Sequence, residues 1–257
     1  MTIDNTGFSK LKPFQKINFF PGIHCIARKD QLSNNLKRLK RRFPESYDFF
    51  PETFTLPAEY NELKAYFMKE VRTKKVVIVK PQASCQGKGI YLTDNIRNIP
   101  ENSRCVVQKY LTRPYLLDGL KFDLRIYVLL ASCSPSLKIY LFDDGLARFA
   151  TETYKNPDMS NMTDMYMHLT NYAINKDSPN FVFNASANDH NVGHKRSIKA
   201  LFKDLKNRGH DIHTLWAEIK KLIIKTFCSV HPVLNQNYKS HLFTKNRSDA
   251  CFQVFGY

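Results

Sequence analysis

The apolar positions of this chain fall into short periodic blocks separated by long polar stretches. Val76, Val77, Ile78 and Val79 form an unbroken β-branched run, the composition of a buried strand. Pro81 lacks a backbone N–H, so the ladder is expected to stop there, with Lys80 at the strand's end. Cys105–Leu111 (CVVQKYL) reads as a further strand. Asp123–Ala131 (DLRIYVLLA) and Leu137–Phe142 (LKIYLF) read as an antiparallel pair turning at Cys133–Ser136. Asp143-Asp144-Gly145 is a second turn signal, ahead of Leu146–Ala150. Residues 1–25 mix basic and aromatic side chains, with KINFFPGIHC the most strand-like part, and CFQVFGY reads as a last strand.

Helical spacing appears elsewhere. Over residues 29–43, Leu32, Leu36, Leu39 and Phe43 share a face, while Lys37, Arg38, Lys40, Arg41 and Arg42 crowd the rest, and Pro44 ends the helix. The stretch 44–60, with Pro44, Pro51 and Pro57, reads as a packed connector into a short helix near Glu59–Lys69. A helix over Ser197–Lys206 stops at Gly209. The next is capped by Asp211 and is expected to bury Ile212, Leu215, Ile219, Leu222 and Ile223, with Trp216 in the core. Residues 155–195 are polar and irregular around the compact string HLTNYAIN, and so long a loop points to function or disorder.

Chemistry gathers where the first strand ends. Gly87 and Gly89 flank Lys88, so the backbone can approach an anion while the side chain adds charge. The spacing is neither the Walker pattern, which needs Ser or Thr after the lysine, nor the Rossmann GxGxxG. In KFDLR, the alternation of Lys121, Asp123 and Arg125 puts all three on one strand face, a charged stripe suited to ribose and polyphosphate.

The 257 residues suffice for one large domain or two smaller ones. Lysine and arginine number 39 against 23 acidic residues, a net charge of +16 that calls for a polyanionic partner. Nucleic acid is disfavoured by the lack of a zinc-finger, helix-turn-helix or aromatic-platform pattern. The six cysteines are scattered without a CxxC pair, reading as reduced thiols. The first residues show no apolar leader core, and no run reaches the ~18 apolar residues of a membrane helix.

RKDQLSNNL, FFPETFTLPAEY, VKPQASCQGKGI, QKYL, KFDLRIYVLL, GLARFAT and HLTNYAINK occur in one order, and together they resemble the tubulin–tyrosine ligase-like family, amino-acid ligases of the ATP-grasp superfamily. The resemblance runs from about residue 16 to the last residue. It implies an α+β, ATP-grasp fold with the nucleotide between two α+β domains: residues 1–28 a remnant of an N-terminal domain, 29–111 the central domain, and 112–257 a C-terminal domain that is incomplete. ATP phosphates would meet Lys80, Gln86, Gly87 and Lys88, with Lys29 reaching in. Gln108, Lys109, Tyr110 and Leu111 would form the hinge whose backbone reads adenine. Lys121 and Asp123 would serve base and ribose, and Arg125 the γ-phosphate. Arg148 and Asn171 would stabilise phosphate and incoming amino acid, with Thr170, Tyr172 and Lys195 beside them.

The implied reaction is ATP-dependent ligation of free glutamate onto glutamate side chains of tubulin C-terminal tails, through an acyl phosphate. It would be performed by a monomer on cytoplasmic microtubules or at the ciliary basal body, without nucleic acid or membrane. The family's magnesium ligands, an aspartate and then Glu-x-Asn, are expected beyond Tyr257, so no metal ligand is assigned. On this reading the chain itself has impaired catalysis, the alternative being a non-catalytic basic module that grips acidic tails. The resemblance leaves open glutamate or glycine as the added residue, initiation or elongation, and α- or β-tubulin.

Overall fold

A computed structural model describes residues 8, 11–12, 14–69, 74–82, 87–184, 191–242 and 250–256. Its elements in chain order are α1 (His24–Ala27), α2 (Lys29–Arg42), β1 (Thr53–Thr55), α3 (Tyr60–Met68), β2 (Val77–Pro81), β3 (Tyr91–Thr93), β4 (Cys105–Lys109), β5 (Leu116–Leu117), β6 (Leu120–Ser132) and β7 (Lys138–Thr153). There follow α4 (Met165–His168), α5 (Tyr172–Asn175), β8 (Lys195–Ser197), α6 (Ile198–Asn207), α7 (Ile212–Leu242) and β9 (Gln253–Gly256). Packing divides the chain into two units, one made of Asp48–Leu124 with Leu146–Asp204, the other of Met1–Tyr47, Arg125–Gly145 and Leu205–Tyr257.

The first unit is built on an antiparallel sheet of order β1-β4-β2-β3. Strand alternation sends Val77 and Val79 to a core with Phe54, Leu63, Ile99 and Val107. Val76 and Ile78 go to a second core with Leu92, Tyr110, Tyr154, Met167 and Leu169. Burial on both faces explains why VVIV is apolar throughout and not alternating. Pro81 does not end the ladder: it pairs with Cys105, and the next amide, Gln82 N–H, donates to the Arg104 carbonyl at 3.1 Å. In that register the nitrogen of residue 81 faces β3, whose pairing with β2 stops at Val79, so no bond is forfeited.

A second sheet, in the order β5-β6-β7-β8 with β9 on β6, is longer than the sequence suggests. Asp143-Asp144-Gly145 forms no turn and lies inside β7. Ladder bonds over sixteen residues override the local turn preference of the triplet. The 155–195 stretch is likewise not structureless: it contains α4 and α5, and the Asp164 side chain caps α4 by accepting from the amides of Tyr166 and Met167.

In the other unit α2 keeps its expected span, but Phe43 is 51% exposed. Phe43 is the C-cap, with non-helical φ −136° and ψ 69°, so its side chain leaves the helical stripe and the buried face is Asp30, Ser33 and Leu36. Arg38 Nη2 donates to the Ser229 carbonyl at 2.9 Å and Tyr47 Oη to that of Lys225 at 3.1 Å, tying this segment to α7. Asp211 caps α7 as expected, accepting from the Thr214 amide at 3.1 Å. Ile223 is buried, whereas Leu215 is exposed and Trp216 only half-buried. The first turns of the helix lie outside the packed segment, which centres on Phe227, Val230 and Leu234. KINFFPGIHC is no strand beyond Ile17, which bridges Cys251; Pro21 and Gly22, at φ +75°, turn the chain into α1. No helix is long and apolar enough to cross a membrane among the described residues. Leu63 is fully buried under the four-stranded sheet. Leu63→Ala is therefore expected to lower stability by about 2–4 kcal/mol in urea unfolding.

Candidate functional site

Lys80 emerges at the end of β2 beside β4, and directly opposed residues of antiparallel strands share a face. Lys80 Nζ donates to Gln108 Oε1 at 2.7 Å, and Gln108 Nε2 donates to Thr53 Oγ1 at 2.9 Å. Just past β4, the Tyr110 amide donates to the Val76 carbonyl at 2.9 Å, while the Lys109 amide at the strand's end donates to that of Glu52 at 2.8 Å. The hinge amides at 109 and 110 are therefore committed to the protein. Leu111 is exposed, and its amide has no hydrogen-bond partner among the described residues.

Lys121, on the first turn of pleat in β6, points its Nζ into the second core. It donates to Tyr110 Oη at 2.9 Å and to the His168 carbonyl at 2.8 Å. Tyr110 Oη lies 2.8 Å from His168 Nδ1, and His168 Nε2 lies 3.1 Å from the Asn161 carbonyl. Burial pulls the Lys121 pKa down to about 8; Asp123 opposes the shift and Lys80 adds to it. Burial also lowers the pKa of His168, and Lys121 reinforces that.

Asp123, two residues on, receives a bidentate fork from Arg148 of β7: Nε to Oδ1 at 2.8 Å and Nη2 to Oδ2. An ionised carboxylate has lone pairs left for ligand hydroxyls after such a pairing. Arg148 is opposite Lys195 in the β7–β8 register, and Lys195 Nζ sits 5.4 Å from the Tyr172 ring centroid.

The glycine cradle meets this group from above β2. Gly87 is buried at φ +87°, and a Cβ there would come 2.5 Å from Ile174 Cδ1 and 3.3 Å from Asn171 Cγ. The loop backbone thus rests on the Asn171–Ile174 turn as only glycine allows. Thr170 is buried and Tyr172 exposed beside it. Asn175 anchors the turn: its Oδ1 accepts from Thr151 N and Oγ1, each at 3.0 Å, and its Nδ2 donates to the carbonyls of Leu169 at 2.7 Å and Asn171 at 3.1 Å.

Lys80, Gly87, Gln108, Tyr110, Lys121, Asp123, Arg148, Asn171, Tyr172 and Lys195 therefore lie in one packing unit, with Lys88 exposed on the same loop. Lys29, the first residue of α2, and Arg125, whose Nη1 donates to the Gly256 carbonyl at 2.7 Å, belong to the other unit. Gln86 lies outside the described residues. His168 and Asn175 received no role from sequence; the available signal was polar residues embedded in the compact string HLTNYAIN. A cavity of about 740 Å³ opens beside α3, lined in part by Tyr66, Lys75, Arg113 and the candidate hinge residues Lys109 and Tyr110, and does not include Lys80, Asp123 or Arg148.

A glycine cradle at positive φ, packed closely on Asn171 and Ile174, and a set of lysines and an arginine around one carboxylate fit a nucleotide polyphosphate with its ribose. No group of three or more His, Cys, Asp and Glu side chains gathers to hold a metal among the described residues. Two antiparallel sheets with this arrangement define an ATP-grasp-like α+β protein. The chain belongs to the tubulin-tyrosine ligase family, which it matches over residues 8–257. It is 50% identical over 248 residues to a probable beta-tubulin polyglutamylase of Tetrahymena thermophila, covering 96% of this chain and 21% of that protein. It is 42% identical over 247 residues to the zebrafish (Danio rerio) tubulin polyglutamylase ttll6, covering 96% and 31%. Against human tubulin polyglutamylase TTLL7 it is 40% identical over 253 residues, covering 97% and 28%. The chain thus spans less than a third of the length of these relatives.

Asn175→Ala removes all four bonds of a 1%-exposed side chain and leaves the Thr151 hydroxyl and amide unpaired. It is expected to destabilise the fold by about 2–4 kcal/mol, read as a lowered midpoint in thermal or urea unfolding.

Proposed function

We propose that this chain carries the nucleotide-binding part of an ATP-dependent ligase that joins glutamate to glutamate side chains in the acidic tails of tubulin. The observation that carries the reading is the gathering of Lys80, Lys121 and Arg148 in one unit, with Gly87 packed on the Asn171 turn. The family membership and the names of the relatives support the choice of reaction and substrate, and the net charge of +16 suits an acidic tail.

ATP supplies the phosphoryl group that turns an unreactive carboxylate into an acyl phosphate. A carboxylate oxygen attacks the γ-phosphorus and ADP leaves; the amine of the incoming amino acid then attacks the carbonyl, losing a proton and expelling phosphate as the amide forms. Negative charge accumulates in both steps, so positioned cations lower both barriers. In this proposal Lys80, Lys88 and the Gly87 backbone hold phosphates, and the Leu111 amide meets adenine. Lys121 and Asp123 take base and ribose. Arg148, with Asn171, Thr170, Tyr172 and Lys195, serves phosphate and incoming amino acid. Lys29, Gln86 and Arg125 join the set on the strength of the family resemblance alone. Magnesium enters as the counter-ion ATP brings, and no step is assigned to it. Work on tubulin would locate the protein at the microtubule cytoskeleton.

The test is ATP binding to the 257-residue chain by calorimetry, with incorporation of labelled glutamate into purified tubulin as a second readout. ATP affinity should fall by about tenfold in Lys80→Ala and in Arg148→Ala. Binding of acidic tails with no ATP binding overturns the nucleotide-site reading in favour of a non-catalytic basic module.

A further inference from the structure

We infer that Tyr110 and His168 are positioning residues for Lys121, a one-way hydrogen-bond chain that leaves the third N–H of the ammonium for the nucleotide. The inference deepens the ligase reading and rests on it.

The direction of the chain follows from its far end. His168 is 1% exposed, and its Nε2 lies 3.1 Å from the Asn161 carbonyl oxygen, which can only accept. Nε2 therefore holds the proton, and in the neutral ring Nδ1 is an acceptor. Tyr110 must then donate its hydroxyl proton to Nδ1 across 2.8 Å. That turns the lone pairs of Tyr110 Oη toward Lys121, which donates to them at 2.9 Å and to the His168 carbonyl at 2.8 Å. An ammonium has three N–H groups, and two are now spent. The third has no hydrogen-bond partner among the described residues. Lys121 and Asp123 share a strand face and interact electrostatically, which places the ammonium on the side where ribose and base are proposed to lie.

The arrangement needs two protonation states at once. Lys121 must keep its third proton, since the neutral amine retains only the two hydrogens already committed. His168 must stay neutral, since a second ring proton makes Nδ1 a donor, so that Tyr110 Oη would accept from both neighbours and its own proton would lose its acceptor in the chain. The groups that set these states are Lys80 and Asp123, the latter paired with Arg148, around Lys121, together with Tyr154 against Tyr110 and Asp164 near His168. The Lys121 pKa is held at about 8, so the third N–H is present below that pH and lost as pH rises through it.

The experiment is ATP binding by calorimetry between about pH 6.5 and pH 9 on the whole chain, with ¹⁵N NMR of the histidines. Wild-type affinity should fall as pH passes about 8, and His168 should show the Nε2–H tautomer. Tyr110→Phe keeps the buried ring but removes the acceptor. It should weaken ATP binding by about tenfold at pH 7.5 and move the alkaline loss to lower pH. His168→Phe should act in the same direction, and the double variant should lose no more than the weaker-binding single one. A Tyr110→Phe protein with wild-type affinity and pH profile, or a His168 protonated on Nδ1, overturns this inference alone. Absence of ATP binding by the wild type overturns the ligase reading and this inference with it.

Discussion

A charged ammonium held at the edge of an apolar core is the constraint around which the first unit is arranged. Lys121, half-buried, bonds Tyr110 of the cluster that also holds Val76, Ile78, Leu169 and Met167, and an unpaired charge beside such a core costs several kcal/mol. The cost is offset only if the surrounding polar atoms are fixed before a ligand arrives, and each of those atoms comes from a different element. Tyr110 follows β4, the His168 carbonyl closes α4, and Asn161 precedes α4. Strand, helix and loop are therefore tied together by one side chain. The polar chain ends on a backbone carbonyl that needs no further partner, so Tyr110 and His168 are held in one arrangement and only the Lys121 end stays open.

That demand explains why a segment so poor in apolar residues is ordered. The stretch from 155 to 175 has little hydrophobic surface of its own beyond Met162, Met165, Met167, Leu169 and Ile174. One-turn helices are unstable alone, because nucleation is costly. Here Asp164 closes the start of α4 and Asn175 stitches α5 to Thr151 of β7. Side-chain bonds to backbone do the work that periodic apolar packing does in α2 or α7. The same turn supplies Asn171 and supports Gly87, so the order of the loop and the shape of the proposed phosphate cradle have one cause.

Elements whose signal is periodic and local were legible in the sequence. VVIV, the span of α2, the short helix near 60–68 and the Asp211 cap follow from β-branching, helical spacing and capping chemistry. Asp143-Asp144-Gly145 misled because turn preference is a local bias of about 1 kcal/mol, and a sixteen-residue ladder beside β6 outweighs it. Phe43 and Leu215 lie at helix ends, where spacing continues but packing does not. Within the site, the charges on alternating strand positions could be read directly. Asn175 and His168 could not, because their importance depends on which distant carbonyls and amides reach them, and no spacing rule encodes that.

Net charge is a weaker guide than the arrangement of a few cations. Part of the basic surface of α2 is structural: Arg38 is engaged with the Ser229 carbonyl of α7. Lys74 pairs with Asp94 as a half-exposed pair of small energetic value, and Arg28, itself exposed, pairs with the buried Asp30. What separates Lys80, Lys121 and Arg148 from these is confinement. Lys80 is held by an amide, Lys121 by a hydroxyl and a carbonyl, and Arg148 by a two-point fork. Fixing a cation before its anion arrives removes the rotamer entropy that a surface lysine loses on binding, of the order of 1–2 kcal/mol per side chain. Prepaid ordering of this kind is what a phosphoryl-transfer site requires, since its catalysis rests on charges that do not have to reorganise. On the proposed function, a polyanion would be bound in two physically different ways, loosely wherever surface lysines crowd and in a defined orientation only where hydrogen bonds hold the cation in place.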